Sequence, residues 1–525
     1  QEVGIMALLH VLVGAVLSGA GDAGATTATA RAPHLHAVGT ASQRSNLNAS
    51  INHARAAVPE YVNPELLSRL DALHAGFAKT MRVPTRNRER FVDTFEAATE
   101  ASVAVLVGGL LEEREGSDTE ILFRQESNFI YVSGFDHPGA TVVVATGDRV
   151  AGLSKGEAWL FVPRGNAVWQ GRTETLDDFK ARYDVTDVFW VDDIAEKMEA
   201  AAPDTVYTFA GVTPYIPETA EHDVTLLRAA LGVSRAVKTA GEIDMIRAAN
   251  EISVESHKLV MRHGKCGGYE SDVESLFRYV DHNYGARFQS YIPIVGAGPN
   301  AAALHYNDND MLIPEDGMVL IDAGAEFGST RNGGGYTSDI TRTWPCTGTY
   351  TAAQRGVYDA VYAAQQAGIN LIKPGSSMTQ CTAAADRAII EGLLKIGILK
   401  GGTVDELLAA RMHRVFMPHS LGHSVGLDVH DPGSISPFAE GMVLTIEPGI
   451  YFIDVLLDDA LASADQGKYL DAAIVEAHRG MGGVRIEDTL VVTAAGFENL
   501  SADIPSAADD VERWIREGRD AVAVQ

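Results

Sequence analysis

Two patterns of apolar spacing divide the chain. Short unbroken runs, SVAVLVGG from Ser102, ATVVVAT from Ala140 and AWLFVP from Ala158, predict strands covered on both faces. Between them apolar residues recur every three or four positions, the helical spacing. Asn63-Pro64-Glu65 carries an N-cap residue followed by proline at the first helical position. It predicts a helix through Leu66, Leu67, Leu70 and Leu73. Thr239-Ala-Gly-Glu242 is a capping box, and the helix it opens presents Ile243, Ile246, Ala249 and Ile252 on one face. Thr351-Ala-Ala-Gln354 is a second such box, and Pro374-Gly375 closes the helical stretch that follows. The alternation predicts an α/β unit over 56–235 and a second unit of strands and helices over 236–510. A tail over 511–525 and an extension over 1–55 flank them. No short-period repeat is present, and the acidic chain after 500 is expected to be peripheral.

Composition narrows the function classes. At 525 residues two or more domains are expected. A net charge of −28 argues against a nucleic-acid-binding role, which normally needs a basic face. Cys266, Cys346 and Cys381 are few, odd in number and without CxxC spacing. They predict buried thiols rather than a disulfide framework or a thiolate metal site. Residues 1–55 hold the run IMALLHVLVGAVLSGA, like a signal-peptide core but with no preceding Lys or Arg. A Ser/Ala/Thr-rich, acid-poor stretch of the transit-peptide type follows. No other stretch approaches about 20 apolar residues, so no membrane role is expected. The expected compartment is the cytoplasm, with organellar or secretory targeting by the extension left open.

Isolated acids interrupt otherwise apolar segments. In LIDAGAEFGSTRNGGGYTSDITRTWP, residues 320–345, Asp322 follows three aliphatic residues and Asp339 shares a strand face with Thr341 and Thr343. A salt bridge to Arg342 or Arg331 would account for either aspartate alone. Three further segments repeat the theme. PHSLGHSVGLDVHDPG, residues 418–433, places His419, His423 and His430 in a glycine-rich apolar stretch. The four-residue spacing of the first two matches HExxH, but the glutamate is missing and Pro418 and Gly422 disfavour a helix. GMVLTIEPGIYF ends an apolar strand on Glu447, and GGVRIEDTLVV puts Arg485 and Glu487 on one face. Four carboxylates brought together unpaired are untenable, and they match two divalent cations in charge. Oxygen-rich ligands with one imidazole suit Mn²⁺, with Zn²⁺, Co²⁺ or Fe²⁺ as options. Two such ions activate a shared water at neutral pH.

The order IDAG…SDITRTWP, PHSLGHSVGLDVHD, TIEPGIYF and GGVRIED resembles the metal-dependent pita-bread peptidases. Within them it is similar to the eukaryotic-type prolidase branch, over roughly residues 85–500. SDTEILFRQESNFIYVSGF, WLFVPRGNAVWQGR and YIPIVGAGPNAAALHY extend the likeness. The long spacer that begins FIDVLLDDALA favours this branch over aminopeptidase P. The resemblance implies an aminopeptidase-P-like α/β N-terminal domain. It also implies an α+β pita-bread catalytic domain, a curved, mostly antiparallel sheet flanked by helices. It implies two divalent cations, most naturally Mn²⁺, on Asp322, Asp339, His423, Glu447 and Glu487. Asp339 and Glu487 would bridge both, and a bridging hydroxide would be the nucleophile. Glu447 would shuttle the proton and His430 stabilise the oxyanion. His305 and His419 would hold substrate, Arg485 would meet a substrate carboxylate or orient Glu487, and Tyr291 would support the ligands. The implied substrate is a small Xaa-Pro dipeptide and the implied assembly a homodimer.

Two departures from the family pattern stand out. Asp322 and Asp339 are separated by an apparent insertion, STRNGG, expected to lengthen a hairpin loop. Between His430 and Glu447, DPGSISPFAEGMVLTI contains no Arg or Lys, whereas the branch carries an arginine clamp for the dipeptide carboxylate. An Xaa-Pro aminopeptidase acting on longer peptides is therefore the nearest alternative. A metal-free pita-bread binding protein, or a creatinase-like hydrolase without metal, is disfavoured by the five retained ligands.

Overall fold

The computed structural model describes residues 62–78, 81–95, 99–171, 173–330 and 333–523. The N-terminal extension, with its targeting signals, and Arg331 lie outside the described residues.

The three apolar runs become the middle of a six-stranded mixed sheet. Its strands are β1 (Ser102–Val107), β2 (Thr141–Ala145), β3 (Ala158–Val162), β4 (Asp187–Trp190), β5 (Thr205–Tyr207) and β6 (Glu221–Asp223), in the order β4-β3-β2-β1-β5-β6. β1, β2 and β3 pair antiparallel; β3–β4 and β1–β5 pair parallel. Val142, Val143 and Val144 are all fully buried, so both faces are covered, as an unbroken run requires. The predicted first helix forms as Pro64–Gly76, with the Asn63 side chain accepting from the amides of Glu65 and Leu66.

The Thr239 capping box opens the 24-residue helix Ala240–His263, and the Thr351 box opens Ala352–Ile369. These helices, with Met378–Lys395, back small antiparallel sheets. β7 (Ile294–Ala297), β8 (Met318–Asp322) and β11 (Thr341–Pro345) form one, in the order β11-β8-β7. β9 (Glu326–Gly328) pairs with β10 (Gly335–Thr337). β12 (Val443–Ile446), β15 (Asp488–Thr493) and β16 (Gly496–Asn499) form another, and β13 (Gly449–Tyr451) pairs with β14 (Gly483–Arg485). A bridge from Thr341 to Glu487 joins the β8 and β15 sheets. The apparent insertion lengthens the β9–β10 hairpin. Its Ser329 hydroxyl donates to the Gly134 carbonyl (3.0 Å) and its Thr330 hydroxyl to Asp136 Oδ2 (2.7 Å), so the loop docks on the N-terminal unit.

Two expectations are corrected. Cys266 and Cys346 form a disulfide across 80 residues, and only Cys381 is a free, buried thiol. The turn after the long helix meets the end of β11, a contact that local spacing cannot reveal. The chain after 500 is not peripheral. Helix Ala508–Ala523 seats Val511 and Ile515, spaced four apart on one face, in the main core, with Trp514 packed beside them. No helix among the described residues is long and apolar enough to cross a membrane.

Candidate metal centre

Strand parity assembles the site. Asp322 ends β8 directly opposite Thr341 of β11, so the two share a face. Asp339, two residues before Thr341, points the same way. Glu487 meets Thr341 across the sheet junction and accepts a hydrogen bond from its hydroxyl at 2.6 Å. Glu447 follows β12. The histidine-bearing loop runs beside that strand: the Thr445 amide donates to the His423 carbonyl (2.9 Å) and the Glu447 amide to the Leu421 carbonyl (2.8 Å). A Cβ on Gly422 would overlap the Thr445 carbonyl oxygen, so this approach needs glycine.

All ten residues singled out from the sequence line one cavity of about 510 Å³: Tyr291, His305, Asp322, Asp339, His419, His423, His430, Glu447, Arg485 and Glu487. Every lining residue comes from position 291 onward; none comes from the N-terminal sheet. Asp339, His423 and Glu487 each offer a ligand atom within 4.8 Å of the others. His423 Nε2 lies 3.2 Å from Asp339 Oδ2 and 3.3 Å from Glu447 Oε1. Tyr291 Oη sits 2.5 Å from Asp322 Oδ1 and 2.6 Å from Asp339 Oδ1. The His430 ring lies against that of His423, centroids 4.1 Å apart. His305 lines the cavity from an exposed position.

All three side-chain nitrogens of Arg485 are engaged. Its guanidinium donates to Asp322 Oδ2 (2.5 Å), Tyr451 Oη (3.0 Å) and Thr341 Oγ1 (3.0 Å). Arg342, one of the two expected partners of the aspartates, points to the opposite face and pairs with Asp488 (2.7 Å). Tyr451 escaped the sequence reading because a fully buried tyrosine beside an apolar strand looks like core. Its hydroxyl links Arg485 to His419 Nε2 (3.0 Å). His419 Nδ1 faces the Ser420 carbonyl at 2.8 Å, so that nitrogen carries the proton and Nε2 accepts from Tyr451.

Burial and mutual repulsion set the electrostatics. Burial pushes Asp339 up to about 6 against the pull of His423, and pushes Glu487 well above the carboxylate range, with Asp339, Glu447 and Asp322 adding to the effect. Burial opposes the charged form of His423, but its hydrogen bonds to the Asp339 and Glu447 carboxylates outweigh it and raise His423 well above the usual range. Burial also acts on Glu447, where His423 outweighs it and keeps that carboxyl low. Burial lowers His419 and His430, favouring neutral rings. The donor set, carboxylate oxygens with one imidazole and more negative charge than its cations neutralise, fits divalent metal ions.

Residues 244–494 match the model of metallopeptidase family M24, and residues 85–207 that of the aminopeptidase P N-terminal domain. Human Xaa-Pro dipeptidase is 36% identical over 83% of this chain and 94% of its own length. A probable Xaa-Pro aminopeptidase of Coccidioides posadasii is 33% identical over 80% of this chain and 93% of its own length. The structure of Escherichia coli aminopeptidase P with the inhibitor Pro-Leu superposes with a TM-score of 0.71 at 30% identity. That match covers 84% of this chain and 99% of that one.

Proposed function

Because the chain belongs to metallopeptidase family M24, we propose that its cavity hydrolyses the Xaa-Pro bond of dipeptides with two divalent cations, Mn²⁺ foremost. The observation that carries this reading is the convergence of Asp322, Asp339, Glu447 and Glu487 with His423 in one cavity. Asp322, Asp339, His423, Glu447 and Glu487 would hold the ions, with Asp339 and Glu487 as the proposed shared ligands. The cations supply Lewis acidity, activating water and polarising the scissile carbonyl.

The side chains do the rest. Glu447, held by Thr445 Oγ1 at 3.2 Å, takes the proton of the attacking water and passes it to the leaving proline nitrogen. That transfer matters because a tertiary amide leaves as an amine that must gain a proton. His430 donates a ring N–H to the developing oxyanion. His305 grips one end of the substrate, and His419 meets the other when substrate replaces Tyr451 on its Nε2. Arg485 orients Asp322 rather than a substrate carboxylate, since each of its three side-chain nitrogens already donates to Asp322, Tyr451 or Thr341. A homodimer accords with Leu110, Val168 and Trp169 standing 71%, 83% and 85% exposed in the single chain. Sedimentation equilibrium tests it: a monomer at micromolar concentration removes it.

One observation favours longer substrates as a second reading. Among the described cavity residues Arg485 is the only Lys or Arg, and it is already paired with Asp322, so a dipeptide carboxylate meets no unpaired cation there. Gly-Pro hydrolysis after chelation and Mn²⁺ add-back tests the metal reading, and no recovery would defeat it. Relative rates on Ala-Pro and Ala-Pro-Ala separate the two substrates, with a clear tripeptide preference overturning the dipeptidase reading.

A further inference from the structure

A buried charge network lies outside the cavity, at the connector between the N-terminal unit and the catalytic sheets. Asp431, the residue after His430, is 7% exposed and receives Arg235 Nη2 at 2.6 Å, Lys238 Nζ at 3.2 Å and the Asp428 amide at 3.2 Å. Arg235 also reaches Asp428 Oδ2 (2.7 Å) and Asn128 Oδ1 (2.8 Å), and Ser127 donates to Asp428 Oδ1 (2.6 Å). Lys238 Nζ has a second contact, the hydroxyl of Ser424 at 3.1 Å, and Ser424 follows His423. One ammonium therefore touches the neighbours of both His423 and His430. The Asp431 amide closes the same loop on the Ser424 carbonyl at 2.9 Å. A Cβ on Gly426 would overlap the Asp431 carboxylate, so the loop is drawn tight around that group.

We propose that Lys238, with Arg235 behind it, is a positioning residue: it fixes the separation of His423 from His430 by clamping Ser424 and Asp431. The inference rests on the peptidase reading of the cavity. Lys238 and Arg235 touch no lining side chain that would meet substrate; they act through the backbone of 424–431. Backbone bonds seat the loop on β12 and β10, and the clamp adds the side-chain restraint that ties the flank of His423 to the flank of His430, whose rings stand 4.1 Å apart. The network also gives the N-terminal unit a hand in catalysis, because Ser127 and Asn128 belong to its helix Ser127–Ser133.

The test uses three variants of the full chain. Lys238→Met removes the ammonium at similar volume, Ser424→Ala detaches the clamp from the His423 side alone, and Ser102→Ala deletes a buried hydroxyl of β1 as control. In Lys238→Met, kcat on Gly-Pro with Mn²⁺ should fall about 100-fold, and in Ser424→Ala about 10-fold, with KM within about threefold, as a misplaced group predicts. Hydrogen exchange of the metal-free protein should quicken in peptides covering 421–433 for both, and for Ser102→Ala neither readout should move. Unchanged exchange in 421–433, or faster exchange with unchanged kcat, overturns the proposal. If Lys238→Met fails to fold, Ser424→Ala decides by the same two readouts. A wild-type chain inactive on every Xaa-Pro substrate would instead refute the peptidase reading, and the exchange data would still decide whether Lys238 holds the loop.

Discussion

Tyr291→Phe isolates one interaction of the metal centre. The ring is retained, so packing changes little, and only the hydroxyl between Asp322 and Asp339 is lost. The geometry bounds the effect. Both carboxylate oxygens lie within hydrogen-bond distance, but a phenol has one proton and donates to one of them at a time. One charge-assisted hydrogen bond contributes about 1.5–3 kcal/mol, so metal affinity should fall by roughly 10- to 100-fold, the range expected when a group behind the ligands is removed. Two independent bonds would predict a loss of thousands-fold. Titration of metal-free protein with Mn²⁺ by calorimetry reads the affinity, and Gly-Pro hydrolysis at saturating Mn²⁺ reads what remains. Activity should recover largely as Mn²⁺ is raised. An unchanged dissociation constant, or a kcat that stays low at saturating metal, would refute the view that Tyr291 acts by holding the two aspartates.

Three other perturbations probe the site and its frame. Glu487→Gln removes a charge expected to bridge both ions; metal content measured by elemental analysis should drop and Gly-Pro turnover fall by at least about 100-fold, and normal turnover would remove Glu487 from the centre. Cys266→Ser opens a loop of 80 residues that contains both Asp322 and Asp339. The chain-entropy relation gives about 4.5 kcal/mol, so thermal unfolding should begin several degrees lower, and dithiothreitol should lower wild type but not the variant. Asp281 is fully buried, and burial pushes its carboxyl up to about 7 although Ser256 and Gln289 donate to it. The folded chain therefore keeps a proton that the unfolded chain releases near pH 4, and stability present below pH 4 is lost as pH rises through 7. Asp281→Asn should flatten that slope in denaturant titrations at pH 5 and pH 8, and an unchanged slope would show that Asp281 does not set it.

Local rules reached whatever is decided locally. The capping boxes at Thr239 and Thr351 start helices because three-residue reciprocity is visible in the chain. Period-two alternation put Arg485 and Glu487 on one face, and both line the cavity. What alternation cannot supply is a partner. Arg485 finds Asp322 across 163 residues and Asp431 finds Lys238 across 193, distances over which no sequence period operates. The Cys266–Cys346 pair failed for the same reason, and the docking of the final helix was obscured by its acidic face, while Val511 and Ile515 supplied the buried one.

Asp322 shows why a structural reading and a functional reading of one residue need not compete. It does form the salt bridge expected of an ordinary buried acid, with Arg485. That bridge neutralises one of four carboxylates lining the cavity. Asp339, Glu447 and Glu487 are left with His423 as their close cationic contact, and a single imidazolium cannot balance three charges. The strain surfaces as the raised Asp339 and Glu487, where burial first and the neighbouring carboxylates second disfavour the charged form. An apolar-lined structural cluster would have been relieved by one more arginine, and Arg342 lies only three residues from Asp339. The fold turns Arg342 away to Asp488 and fixes it there with Gln365 and Asn499 on the same carboxylate. The deficit is thus built into the frame, and divalent cations satisfy it with the charge and the oxygen preference it presents.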